Sequence, residues 1–115
     1  MNDRELLELA AKAAGIELFD GEHGDKLRVY YTCPHTGLNR YAPWNPLTDD
    51  GDALRLAVKL RLEPRFIDNS HSQGAEPSRV TMHNIAGIVE NIGDDPYATT
   101  RRAIVRAAAE IGKGV

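Results

Sequence analysis

Three arginines, Arg101, Arg102 and Arg106, lie close together near the end of the chain. Guanidinium groups gathered on one surface recognise phosphate and carboxylate. On a helix Arg102 and Arg106 are four apart, so two like charges share a face, and Glu110 would partly relieve the repulsion from beside Arg106. With Arg28, Arg40 or Arg79 brought near, the group would make an anion pocket; alone, it is a solvated helix face. Trp44, the only tryptophan, stands among Pro43, Asn45 and Pro46. It would serve as a rigid platform for a flat ligand, with Tyr30, Tyr41 and Tyr97 as further stacking surfaces. The candidate ligand-binding set is therefore Trp44, Tyr41, Tyr97, Arg101, Arg102 and Arg106. The plainer reading of Trp44 is a hydrophobic staple over the helix that follows it.

Other constellations are weaker. Asp49, Asp50 and Asp52 offer oxygen ligands, but "DDGD" lacks the spacing and the distal glutamate of a calcium loop. Thr48 reads as an N-cap, and the three acids suit the positive end of a helix dipole. They also argue against phosphate binding at that helix start. Cys33, His23, His35, His71 and His83 hold the right atoms for zinc, yet Cys33-Pro34-His35 is too tight for the usual spacing and no second cysteine helps. A Cys33–His35 nucleophile would need both side chains on one strand face, which Pro34 opposes. The expectation is no catalytic residue, no metal and no cofactor.

The elements that must position these residues follow from composition and pattern. With 115 residues, 42% of them hydrophobic and 27% charged, the chain suits a single folded domain over residues 1–115. A net charge of -3 gives no overall attraction to nucleic acid. One cysteine excludes an internal disulfide and suits a reducing cytoplasm. The acidic N-terminal stretch does not read as a signal peptide, and no run approaches the roughly 20 apolar residues of a membrane span.

A first helix is expected over Asp3 to Ala14, with Leu6, Leu9, Ala10 and Ala13 inward, Leu7 and Ala14 beside them, and Gly15 as its left-handed stop. Ile16–Phe19 and Leu27–Thr32 read as strands joined by the turn-forming "DGEHGDK", with Leu27, Val29 and Tyr31 on one face. "CPHTGLNRYAP" reads as a loop. The second helix runs to Leu60 with Ala53, Leu56, Ala57 and Leu60 inward, flanked by Leu54 and Val58. "EPRFID", "RVTMH" and "GIVENIG" read as strands, the last with helix as a competitor, and Asn69–Ser78 reads as a mobile loop. Asp95 caps a third helix with Pro96 at its first position. Tyr97, Ile104, Ala108 and Ile111 form its stripe, with Ala98 and Val105 beside it, and Gly112 is its end. The result is an α/β (α+β) fold, a small αβα sandwich of three helices on a short, mostly antiparallel sheet of four to five strands.

"WNPLTDDGDALRLAVKLRL" and "DDPYATTRRAIVRAAAEIGK" resemble the corresponding stretches of small phage and prophage proteins carrying the phage ABA sandwich domain. The likeness covers nearly the whole length, including "ELLELAAKAAGIE", and is most specific in the second helix. It implies an αβα sandwich from a tailed phage or prophage, with no catalytic residues to carry over. The functional expectation is a non-enzymatic phage accessory protein in the bacterial host cytoplasm. It would bind a host protein for takeover or anti-defence, acting as a small homo-oligomer. The alternative is sequestration of a small anionic ligand such as a signalling nucleotide, and membrane and nucleic-acid partners are not expected. A small hydrolase or transferase would need a paired acid and base that no spacing here presents.

Overall fold

The computed structural model describes residues 1–21, 27–69 and 76–115. Most of the "DGEHGDK" joint and of the Asn69–Ser78 loop therefore lies outside the described residues, as do His23 and His71.

Helix α1 (Asp3–Ala14) starts where Asn2 caps it. The Asn2 side chain accepts from the Glu5 amide at 2.8 Å and donates to the Glu5 carboxylate at 3.2 Å, a reciprocal arrangement that satisfies an otherwise orphaned amide. It ends as expected at Gly15, with φ of 71°. The Ile16 amide closes the end by donating to Ala11 at 2.8 Å. Helix α2 (Asp50–Leu60) is capped by Asp49 rather than Thr48, because the Asp49 carboxylate accepts from the Asp52 amide at 2.8 Å. Helix α3 (Pro96–Lys113) begins as its Asp95-Pro96 signal requires, Asp95 accepting from the amides of Tyr97 and Ala98. It does not stop at Gly112. The helix passes through that residue and is capped at Gly114.

The α+β class holds, but among the described residues the strands number six and form two sheets. The first sheet joins β1 (Phe19–Asp20), β2 (Leu27–Thr32) and β3 (Asn39–Pro43) in that order, all antiparallel. Strand β3 lies inside the stretch read as a loop. Only Cys33–Leu38 is the bend, closed by Gly37 donating to Cys33 and Cys33 donating to Leu38, each at 2.8 Å. The chain then pairs back through Tyr31↔Arg40 and Val29↔Ala42. Pro43 is tolerated there because its pairing with Arg28 turns its nitrogen to the open side of the sheet. The second sheet joins β4 (Pro64–Ile67), β5 (Arg79–Met82) and β6 (Val89–Asn91), again antiparallel and in order.

The core is built around α3, which packs on α1, on α2 and on the second sheet. Its Ala103, Ile104, Val105, Ala107, Ala108, Ala109 and Gly112 are all buried, so its second half is enclosed nearly all round. From α1 come Leu6, Leu7, Ala10, Ala11 and Ala14, and from β5 come Val80 and Met82 on the expected alternation. Tyr97, expected on the inward stripe of α3, is 71% exposed, and Leu54 and Val58, expected to flank the stripe of α2, are 64% and 68% exposed.

The first sheet stands apart from this core. Among its described strand residues Leu27 alone is buried, Val29 is half-buried and Tyr31 is exposed. No helix packs closely against its described strands. It forms an arm rooted at Trp44, whose amide donates to Leu27 at 3.0 Å, and the molecule measures 55 × 29 × 27 Å.

Candidate functional site

The arginines expected to bind an anion are each held by acids of the chain itself. Arg101 is largely enclosed. Its Nε donates to the Leu47 carbonyl at 2.8 Å and its terminal nitrogen to Asp50 at 2.6 Å, tying α3 to the start of α2. Arg106 donates to Glu90 at 2.9 Å and to the Val89 carbonyl at 3.1 Å. Arg102 lies 3.7 Å from the same Glu90 and 3.4 Å from Asp3. Glu90, not Glu110, is thus the carboxylate that relieves the paired arginines, while Glu110 pairs with Lys113 at 2.8 Å. Arg79 is held by Glu76, and Arg28 and Arg40 sit on the arm. Arg28 Nε is shielded from solvent without a hydrogen-bond partner among the described residues.

The aromatic candidates separate as well. Trp44 is 6% exposed, a core ring at the junction of arm and helices. Thr48, not Trp44, is the residue before the cap, so the strict staple position is not its place. Tyr41 packs on the arm with Phe19 at 5.3 Å, edge to face, and with Tyr30 at 5.0 Å. Tyr97 stands with Arg101 on the far side of α2. The six candidate residues therefore do not converge on one place.

Two concave features flank α2 and share no lining residue. One is a cleft of about 850 Å³ beneath the arm, lined by Ile16, Glu17, Tyr30, Tyr31, Trp44, Leu56 and Lys59 among others. The other is a groove of about 560 Å³ between α2, the start of α3 and β4. Its floor holds Ala53, Ala57, Leu62 and Ile104, and its walls are Leu54 and Val58, Phe66, and Tyr97. Phe66 and Leu54 are each 64% exposed. Leu54, Val58, Phe66 and Tyr97 together form a contiguous exposed apolar surface, a feature of the kind found at contact sites. The sequence carried a signal for it. In α2, apolar residues occupy positions 53, 54, 56, 57, 58 and 60, a stripe too wide for one buried face.

Cys33, half-buried in the arm's bend, has its thiol pKa pushed down by the Thr36 hydroxyl first, then by the amides of His35 and Thr36. The acids at the α2 start are engaged in structure. Asp49 caps the helix, and Asp52 accepts from the Asn45 amide at 3.0 Å and from Arg55 at 2.7 Å. Among the described residues no cluster of three or more His, Cys, Asp or Glu is arranged to hold a metal ion. No helix among them is long and apolar enough to cross a membrane.

The described residues form an α+β protein of three helices and two antiparallel sheets, with concave features on both sides of α2. Comparisons with protein-family models, curated proteins and solved structures find no match for this chain.

Proposed function

We propose that this protein works by binding, and that the groove between α2, α3 and β4 receives an amphipathic helix of a partner protein. The observation that carries the reading is the cluster of Leu54, Val58, Phe66 and Tyr97, all more than 60% exposed around one apolar floor. Leu54 and Val58 are four apart on α2 and form a ridge beside α3, the setting in which a further helix packs ridge into groove. Charges of both signs, Asp50, Arg61, Glu63 and Arg101, surround the groove. That mixture suits a helix with an apolar face and mixed polar flanks. The likeness of the second and third helices to phage ABA sandwich proteins supports a bacterial host protein as partner, met in the host cytoplasm during takeover or evasion of defence. An anion-sequestering role is less supported, since Arg101, Arg102 and Arg106 already have acidic partners.

The test is a photo-crosslinking side chain at position 58, compared with one at position 110, in living bacteria. A discrete heterologous product at 58 alone, lost on Leu54→Glu, is the expected result. Crosslinking of the chain only to itself would reassign the groove to a homodimer. No product at 58 would remove the docking role.

A further inference from the structure

The cleft on the other side of α2 is independent of that groove and adjoins an unfinished sheet edge. The hydrogen bonds from Trp44 to Leu27 and from Cys33 to Leu38 set the parity of the β2–β3 ladder. Leu27, Val29, Tyr31 and Cys33 turn their backbone groups towards β3, so Arg28, Tyr30 and Thr32 turn theirs the other way. Strand β1 meets Arg28 through Phe19 and goes no further along β2. The amides and carbonyls of Tyr30 and Thr32 consequently have no backbone partner among the described residues.

Beside this edge the chain leaving α1, Gly15 to Glu17, forms the far wall of the cleft, while Ile16, Val29 and Tyr31 supply accessible apolar surface over the buried Trp44 and Leu56. Four charged groups line it: Glu17, Asp52, Arg55 and Lys59. Asp52 and Arg55 neutralise each other at 2.7 Å. Glu17 and Lys59 make no hydrogen bond or ion pair among the described residues and leave one free charge of each sign at the cleft.

From these relationships we infer that the cleft takes an extended peptide segment, which pairs with β2 at Tyr30 and Thr32 and continues the line of β1. Three observations define the occupant. The open backbone groups require an extended main chain, the recognition mode in which a peptide adds a strand to a sheet edge. The apolar surface at Ile16, Val29 and Tyr31 requires an apolar side chain directed inward. Lys59 and Glu17 select an acidic neighbour on one side of that residue and a basic neighbour on the other. The volume of about 850 Å³ lies within the range of sites that enclose a ligand of this size.

The experiment selects displayed random seven-residue peptides on the immobilised full chain. The strongest binder is then synthesised, and amide exchange is followed by NMR with and without it. The expected result is a peptide with an apolar residue between opposite charges that slows exchange at Tyr30 and Thr32 at least about tenfold. Methylating the peptide nitrogen that faces Tyr30 should weaken binding by a similar factor, the loss of one good hydrogen bond. Lys59→Glu, on an exposed position, should reverse the preference for the acidic neighbour. Three results would overturn the proposal: no peptide selected, a binder that leaves Tyr30 and Thr32 exchange unchanged, or full affinity after methylation. A binder that instead protects Leu54 and Val58 would also overturn it while supporting the separate groove on α2.

Discussion

Gly112 of α3 lies against Leu9 of α1 so closely that a Cβ added to it would stand 2.1 Å from the Leu9 carbonyl oxygen. The two helices meet backbone to backbone there, with Ala10 and Ala14 of α1 and Ala108 and Ala109 of α3 buried nearby in the sequence of each helix. Small residues are what permit this approach, and it makes the α1–α3 pair the rigid centre of the fold.

Gly112→Ala therefore separates two physical effects. Helix propensity alone favours alanine by about 1 kcal/mol. The clash is with backbone, which cannot swing aside, and overpacking of this kind costs about 1–3 kcal/mol or more. Because the clash is severe, we expect the upper end of that range and a net destabilisation of about 1–2 kcal/mol, measured by urea denaturation. A stabilised variant would show that the helices do not meet at this distance.

Arg101 should matter for stability rather than for ligand uptake. Arg101→Met removes the bond to Leu47 and the pair with Asp50, for an expected loss of about 1.5–2 kcal/mol. Little of this comes from Asp50, which is mostly exposed and screened by water. Arg101→Lys should recover less than half of the loss, because lysine keeps the charge but has no Nε donor for the carbonyl. Equal stability of the lysine variant and the parent would assign the effect to charge alone.

Arg61 ends α2 with φ of 55°, and among the described residues it is the non-glycine with positive φ. The end is otherwise well made. Leu62 donates to Ala57 at 2.8 Å, and Asn84 bridges the turn, donating to the Arg61 carbonyl at 2.9 Å and accepting from the Glu63 amide at 3.2 Å. Left-handed backbone costs a residue with a Cβ about 1–2 kcal/mol, and glycine's looser unfolded state returns part of that. Arg61→Gly should thus stabilise the protein by about 0.5–1 kcal/mol, raising Tm by a few degrees. Gly15→Ala, at φ of 71°, should shift Tm the opposite way.

Which of these features the sequence displayed depends on how far apart the partners lie. The bounds of α1 and the start of α3 were legible because caps act over three or four residues: Gly15 stops one helix and Asp95-Pro96 begins the other. Strand β3 was not, since Asn39, Arg40 and Pro43 have poor strand propensity and are held by the ladder to β2. The split into two sheets depends on pairings that local pattern does not encode. The arginine group shows the same limit. Arg101 meets Asp50 from 51 positions away and Arg102 meets Asp3 from 99, so the clustered cations of the chain are each engaged by acids distant in sequence. Trp44 was legible as a core ring, but the cleft beside it follows from the arm standing off the helices. Gly112 looked like a helix end because glycine often is one; its neighbour on α1 decides otherwise.

The Cys33 thiol gives a prediction in which pH is the variable. Its pKa lies below the ordinary thiol value, and the Thr36 hydroxyl is the first cause. Alkylation by iodoacetamide, which reads the thiolate, should reach half its plateau rate at a lower pH than for an unstructured peptide thiol. Thr36→Val should move that midpoint back up. Because the folded pKa is depressed, the folded state binds fewer protons than the unfolded state in the window between the two pKa values, so stability rises with pH there. The thiolate's contribution is fully present above the unfolded pKa and is lost as pH falls through the folded one. Thr36 also accepts from the Leu38 amide at 3.3 Å, a bond that Thr36→Val removes at every pH. The comparison is therefore made in parent and Cys33→Ala backgrounds, as a double-mutant cycle. In the parent, Thr36→Val should destabilise more at alkaline than at neutral pH, and in the Cys33→Ala background equally at both. A pH-independent difference in both backgrounds would show that Thr36 supports the bend alone and leaves the thiol untouched.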